Sequence, residues 1–216
     1  MHKNVSFNGL DAVLWTPEKK TSDTICVFVH PWSVLGGSAA NTEPYAETLA
    51  DNHGIESLTF DLRGVGQSNG TSTYRGTAEI EDVKSACKFI AQTFPNAPIA
   101  IVGTSAGAAI GGSAYDAVPE AIAYVGIGYT FGWASSLIFG HHFKAIIQSK
   151  KPKLFIMGTR DEFTSVGQLK SRVETMENVQ YEIIGNVGHF QLESPQYSPV
   201  ISQIIAKYIH SLKSVE

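Results

Sequence analysis

Short apolar, often β-branched runs recur along the chain at 24–29, 55–60, 98–102, 121–125, 153–157 and 179–184. Each is continuous rather than alternating, the pattern of a parallel strand covered on both faces. Between them the apolar positions step by three or four, as on an amphipathic helix. After Thr77 come Ile80, Val83, Cys87, Ile90 and Phe94, and Pro95 ends the series. Ser165 with Gln168 forms a capping-box pattern ahead of Val166, Leu169, Val173 and Met176. Ser198 and Pro199 open a last helix whose inner face is Val200, Ile201, Ile204, Ile205, Tyr208, Ile209 and Leu212. Residues 4–7 and 12–15 flank Asn8-Gly9 as a hairpin would.

Strands alternating with helices predict an α/β fold, a mostly parallel central sheet with helices on both faces. No repeat, linker or low-complexity tract divides the chain, so one domain over residues 1–216 is expected.

Composition narrows the functions. With 43% hydrophobic and 17% charged residues, 216 residues suffice for a self-sustaining core. Net charge is −4 and no basic cluster occurs, so no nucleic-acid partner is expected. Cys26 and Cys87 fall in apolar patterns as inert core residues, without metal or disulfide spacing. The uncharged stretches 89–115 and 121–143 are long enough for a bilayer, but prolines, glycines and polar residues break them. No membrane span is expected, and a polar N-terminus without a signal-peptide core points to the cytoplasm.

The chemistry gathers around serine. Gly-x-Ser-x-Gly occurs at 66–70 and at 103–107. A nucleophilic serine needs a sharp turn between the end of a buried strand and the start of a helix, where Oγ projects above the sheet and helix-N-terminal amides face a developing oxyanion. Ser105 meets this demand, between the run at 98–102 and the small-residue stretch at 106–112. The alternative is a glycine-rich turn with a bystander serine. Ser68 does not meet it, because a turn precedes it and polar residues follow. Gly64 and Gly66 lack the third glycine and the helix of a dinucleotide fingerprint.

A serine hydroxyl also needs a base. Of seven histidines, His189 lies just past the last apolar strand, on the same rim as Ser105; the other reading is a loop histidine with no role. His2, His53 and His210 fit surface positions, and the adjacent His141 and His142 point apart on a helix, against a shared metal. Asp161, after the strand at 153–157, is the carboxylate to orient His189, with Glu162 in reserve and an ion pair to Arg160 as the bland alternative. His30-Pro31-Trp32-Ser33 follows the strand at 24–29 and can aim the Trp32 backbone N–H at the oxyanion that the Ala106 N–H also faces, or be a plain turn.

In that order these motifs, with Asp61-Leu62-Arg63-Gly64-Val65-Gly66-Gln67-Ser68 between them, resemble the α/β-hydrolase superfamily over nearly the whole chain. His-Pro followed by Gly36-Gly37 is similar to small, cap-less serine hydrolases near the dienelactone-hydrolase-like group, although many members have His-Gly there and dienelactone hydrolases proper use Cys. The resemblance implies the α/β-hydrolase fold without a cap domain, since 126–152 is too short for one. It implies a serine hydrolase of esters or thioesters acting through Ser105, Asp161 and His189, with backbone amides of Ala106 and Trp32 as the oxyanion hole. Such chemistry uses a small acyl substrate and no metal or other cofactor. Trp32, Leu35, Tyr129, Phe131 and Trp133 could wall an apolar site, or 126–152 could simply cover the sheet as one amphipathic helix. Without a cap, little burial of His189 is expected. A non-catalytic binding protein, an acyltransferase and a peptidase stay open as alternatives.

Overall fold

The computed structural model describes residues 1–212, the side chain at position 134 excepted, so the last four residues of the expected domain lie outside the described residues. Eight strands form one sheet in the order β1-β2-β4-β3-β5-β6-β7-β8. They are β1 (His2–Phe7), β2 (Leu10–Trp15), β3 (Ile25–Val29), β4 (Ser57–Phe60), β5 (Ile99–Thr104), β6 (Ala121–Ile127), β7 (Lys153–Gly158) and β8 (Val179–Ile184). The β1–β2 hairpin turns at Asn8 and Gly9, both with positive φ, and β2 joins β4 antiparallel. All pairs from β4 to β8 are parallel, so six strands end on one edge of the sheet.

Among the described residues seven α-helices complete the fold: α1 (Glu43–His53), α2 (Glu79–Thr93), α3 (Ala106–Ala114), α4 (Trp133–Gln148), α5 (Val166–Val173), α6 (His189–Leu192) and α7 (Ser198–Leu212). Strand residues alternate between two cores, as the two-residue period requires. Ile25, Val27 and Val29 of β3 pack with the apolar stripes of α2, α3, α4 and α5. Cys26 and Phe28 pack with α1 and α7 on the opposite face. The stripe read at 80–90 is the inner face of α2, and the Ser165–Gln168 box caps α5.

β8 departs from the expectation of strands covered on both faces. Its middle residues, Gln180 to Glu182, are exposed, because β8 is the edge strand; Val179 and Ile183 still pack on the core beside α5, and Ile184 on the opposite one. Among the described residues no helix is long and apolar enough to cross a membrane. The interval between β6 and β7 holds α4 alone, and among the described residues no cap is present.

Chain order reverses around β3: β4 lies on one side of it and β5 on the other. In open parallel sheets the crevice beyond the strand ends at such a reversal is where ligands bind. Trp32 and Ser105 follow β3 and β5, on either side of that crevice.

Candidate active site

Ser105 sits between β5 and α3 with φ 54° and ψ −121°. A non-glycine residue in that region stores about 1–3 kcal/mol of strain and persists only where its surroundings hold it. Here they do. The Ser105 N–H donates to the Ile127 carbonyl of β6 at 2.9 Å, and the Ser105 carbonyl accepts from Ala108 at 3.1 Å. The flanking glycines are sterically required: a Cβ on Gly107 would run into the carbonyls of Val29 and His30, and one on Gly103 into the backbone of α3.

The Ser105 hydroxyl lies 2.8 Å from His189 Nε2, and His189 Nδ1 lies 2.7 Å from Asp161 Oδ2. The other oxygen of Asp161 accepts the backbone N–H groups of Phe163 at 2.9 Å and Thr164 at 2.8 Å. A carboxylate held at both oxygens leaves the imidazole proton on Nδ1 and the Nε2 lone pair facing serine. The loops carrying Asp161 and His189 are laced together. Arg160 N–H donates to the Val187 carbonyl, Asn186 N–H donates to Thr159 Oγ1, and Gly158 has no room for a Cβ against Val187. Asp161 thus pairs with His189 rather than with Arg160.

Glu162, held in reserve as an alternative carboxylate, does not reach the ring. Its Oε2 accepts the backbone N–H of His189 at 2.8 Å. His189 opens α6, where that N–H has no acceptor within the helix. Neighbouring carboxylates therefore grip one histidine at two points, ring and main chain. Burial pushes the nearby Glu193 carboxyl up to about 6, opposed by the charge of His189 and reinforced by that of Asp161.

His189 is far less open than a cap-less site suggested, with 2% of its surface exposed. The cover comes from short loops: the Phe163 ring stands edge-on at 4.5 Å, Phe190 lies at 5.5 Å, and the His189 ring packs against Gly128, where a Cβ would stand 3.0 Å from Cε1. Gly128 has φ 58°, so the turn after β6 needs glycine for both reasons.

Ala106 is the first residue of α3, so its N–H belongs to the free helix N-terminus. On the other side of the crevice the buried His30 organises the turn. Its Nε2 accepts the Leu62 N–H at 3.1 Å, which leaves Nδ1–H to donate to the Pro31 carbonyl at 2.7 Å. Carbonyl and N–H of a trans peptide point opposite ways, so fixing the Pro31 carbonyl turns the Trp32 N–H away from His30. Burial holds His30 below the usual histidine range, consistent with this neutral, two-partner ring. Nothing in sequence periodicity marks that role.

The expected apolar wall is only partly there. Tyr129 and Phe131 are core residues, their rings stacked 4.0 Å apart and packed on Phe143 and Phe155, because the turn at Gly128 directs them beneath α4. Leu35 and Trp133 are 70% and 75% exposed, and Phe131 and Trp133 edge a cleft against α5. Trp32 is half-buried between Tyr74 and Phe139. Ser68, the serine of the other Gly-x-Ser-x-Gly, is buried; its hydroxyl donates to the Asp61 carbonyl and accepts the Asp11 N–H. His141 and His142 do not point apart as expected: their rings lie 3.9 Å from each other. His142 is turned inward by Arg75 and Ser113, and among the described residues no three His, Cys, Asp or Glu side chains gather as a metal site.

A strained serine at a strand-to-helix elbow, on a parallel sheet with this strand order, defines the α/β-hydrolase fold. The chain belongs to the Hydrolase_4 family, described as "Serine aminopeptidase, S33", whose model matches residues 21–155. That match includes Ser105 and ends before Asp161. No curated protein matches the chain. Among solved structures, the chain is similar to an α/β serine hydrolase without lid from Xanthomonas campestris, with TM-score 0.78, 21% identity, and 94% of this chain and 92% of that one covered. An esterase of Pyrococcus furiosus gives TM-score 0.80 and 19% identity over 98% and 91%. A serine hydrolase homologue from Coxiella burnetii gives 0.78 and 21% over 96% of each.

Proposed function

We propose that the protein hydrolyses carboxylic esters or thioesters through an acyl-enzyme. Ser105 Oγ adds to the acyl carbonyl as its proton passes to His189 Nε2, and Asp161 stabilises the resulting imidazolium. The amides of Ala106 and Trp32 receive the oxyanion. The bond to the leaving group breaks as His189 returns the proton to it, and water then releases the acid by the same steps. The observation that carries this reading is the pair of hydrogen bonds, 2.8 and 2.7 Å, linking Ser105 to His189 and His189 to Asp161. Folding alone does not call for that chain, which weighs against a non-catalytic binding protein.

A second reading, peptide hydrolysis, takes support from the description of the matched family. It uses the same groups with an amine leaving. Turnover of ester, thioester and aminoacyl-amide substrates of graded acyl length separates the two. Asp161→Asn is expected to keep the fold and lower kcat by roughly 10⁴-fold. Full activity in that variant would overturn the triad.

A further inference from the structure

We propose that Phe163 and Phe190 form the leaving-group side of the site and select esters whose alcohol portion is uncharged and apolar. The proposal rests on the ester-hydrolase reading and follows from where a proton must go. When the ester C–O bond breaks, the proton that His189 Nε2 took from Ser105 is delivered to the departing oxygen, so that oxygen must come within hydrogen-bond reach of Nε2, about 2.6–3.2 Å. Whatever the oxygen carries continues past the surroundings of the His189 ring. Those surroundings are Phe163, edge-on at 4.5 Å, and Phe190, at 5.5 Å and 86°. The two phenyl rings stand 5.7 Å apart at 82°, forming a corner.

That corner is built rather than incidental. The Phe163 N–H donates to Asp161 Oδ1, and the Phe163 carbonyl rests on Gly132, where no Cβ fits. Thr164 closes the same junction, donating to the Tyr129 carbonyl at 2.8 Å and accepting from Gly132 at 3.2 Å. Phe190 is the second residue of α6, directly after His189. Yet the two residues are 36% and 61% exposed, which leaves apolar area at the histidine for a ligand to cover. Charge narrows the class further. The same loops carry Asp161, Glu162 and Glu193 against Arg160, a balance that disfavours anionic leaving groups such as a phosphorylated thiol. Asp161 and Glu162 each spend an oxygen on His189, so neither carboxylate is offered whole to a cationic alcohol.

The test uses three butyrate esters, of benzyl alcohol, ethanol and choline, with single-turnover acylation and deacylation measured separately. All three pass through one butyryl-enzyme, so a leaving-group contact affects acylation only. The expected result is a preference for the benzyl ester over the ethyl ester of about tenfold or more, the discrimination one apolar contact supplies. Phe190→Ala should remove most of that preference, slowing benzyl-ester acylation several-fold more than ethyl-ester acylation. Phe163→Leu, which keeps an apolar side chain under His189, should reduce it partially. An equal loss on all esters in Phe190→Ala, no benzyl preference in the wild type, or choline as the fastest substrate would overturn the subsite. Wild-type protein that turns over none of the three would instead sink the ester-hydrolase reading beneath it.

Discussion

Asp161 and Glu162 are chain neighbours with one target and different tasks. The first holds the His189 ring and the second its backbone N–H, so position rather than acidity separates them. Glu162→Gln retains an oxygen acceptor and should leave kcat within about twofold of wild type. Glu162→Ala leaves the N–H at the start of α6 unpaired and lets the imidazole drift, for an expected fall in kcat of about tenfold with KM nearly unchanged. Steady-state kinetics of both variants check this, and equal losses in the two would mean that the charge matters rather than the hydrogen bond. That Ser105, Asp161 and His189 meet was legible in the sequence because each follows a recognisable strand. The parts played by Glu162 and His30 were not, since both depend on main-chain groups brought close by folding.

The two copies of Gly-x-Ser-x-Gly show how the surrounding element assigns a motif its work. Ser105 follows β5 and opens α3, whereas Ser68 lies in the loop between β4 and α2 and ties it to β2. Ser68→Ala should keep hydrolytic turnover but cost about 1–3 kcal/mol in urea unfolding, because the Asp11 N–H loses its acceptor in a part-buried setting. Helix α4 offers a second test. His142 donates from Nε2 to the Arg75 carbonyl and accepts the Ser113 hydroxyl at Nδ1, binding α4 to α3 and to the loop before α2. Burial pushes its pKa down to about 4 from 6.5. Between those values the unfolded chain holds a proton that the folded protein refuses, so this contribution is intact above pH 6.5 and is lost as pH falls toward 4. Comparing urea stability at pH 4.5 and 7 in wild type and His142→Gln should show a smaller acid loss in the variant, by on the order of 2–3 kcal/mol. Equal acid losses would refute it.

Across the whole molecule, the parallel sheet was readable because its inner strands are uniformly apolar, and each splits its residues between two cores. β8 was read as a strand but not as an edge, because its residues do not record what lies beside them. Helix α1 has a short, small apolar stripe, Tyr45, Ala46, Leu49 and Ala50, which gives periodicity little to work on. The aromatic residues after β6 were read as a site wall or as cover for the sheet, and the turn at Gly128 sends Tyr129 and Phe131 into the core. The apolar surface at the histidine comes instead from Phe163 and Phe190, one on each of the two loops that hold Asp161 and His189. Labelling with a fluorophosphonate probe, followed by mass mapping of the modified peptide, brings the elbow, the base and the carboxylate into one reading. The expected result is a single adduct on Ser105, abolished in Ser105→Ala, slowed at least a hundredfold in His189→Ala and unaffected in Ser68→Ala. An unlabelled Ser105 in folded wild-type protein, or labelling that survives the loss of His189 at full rate, would contradict it.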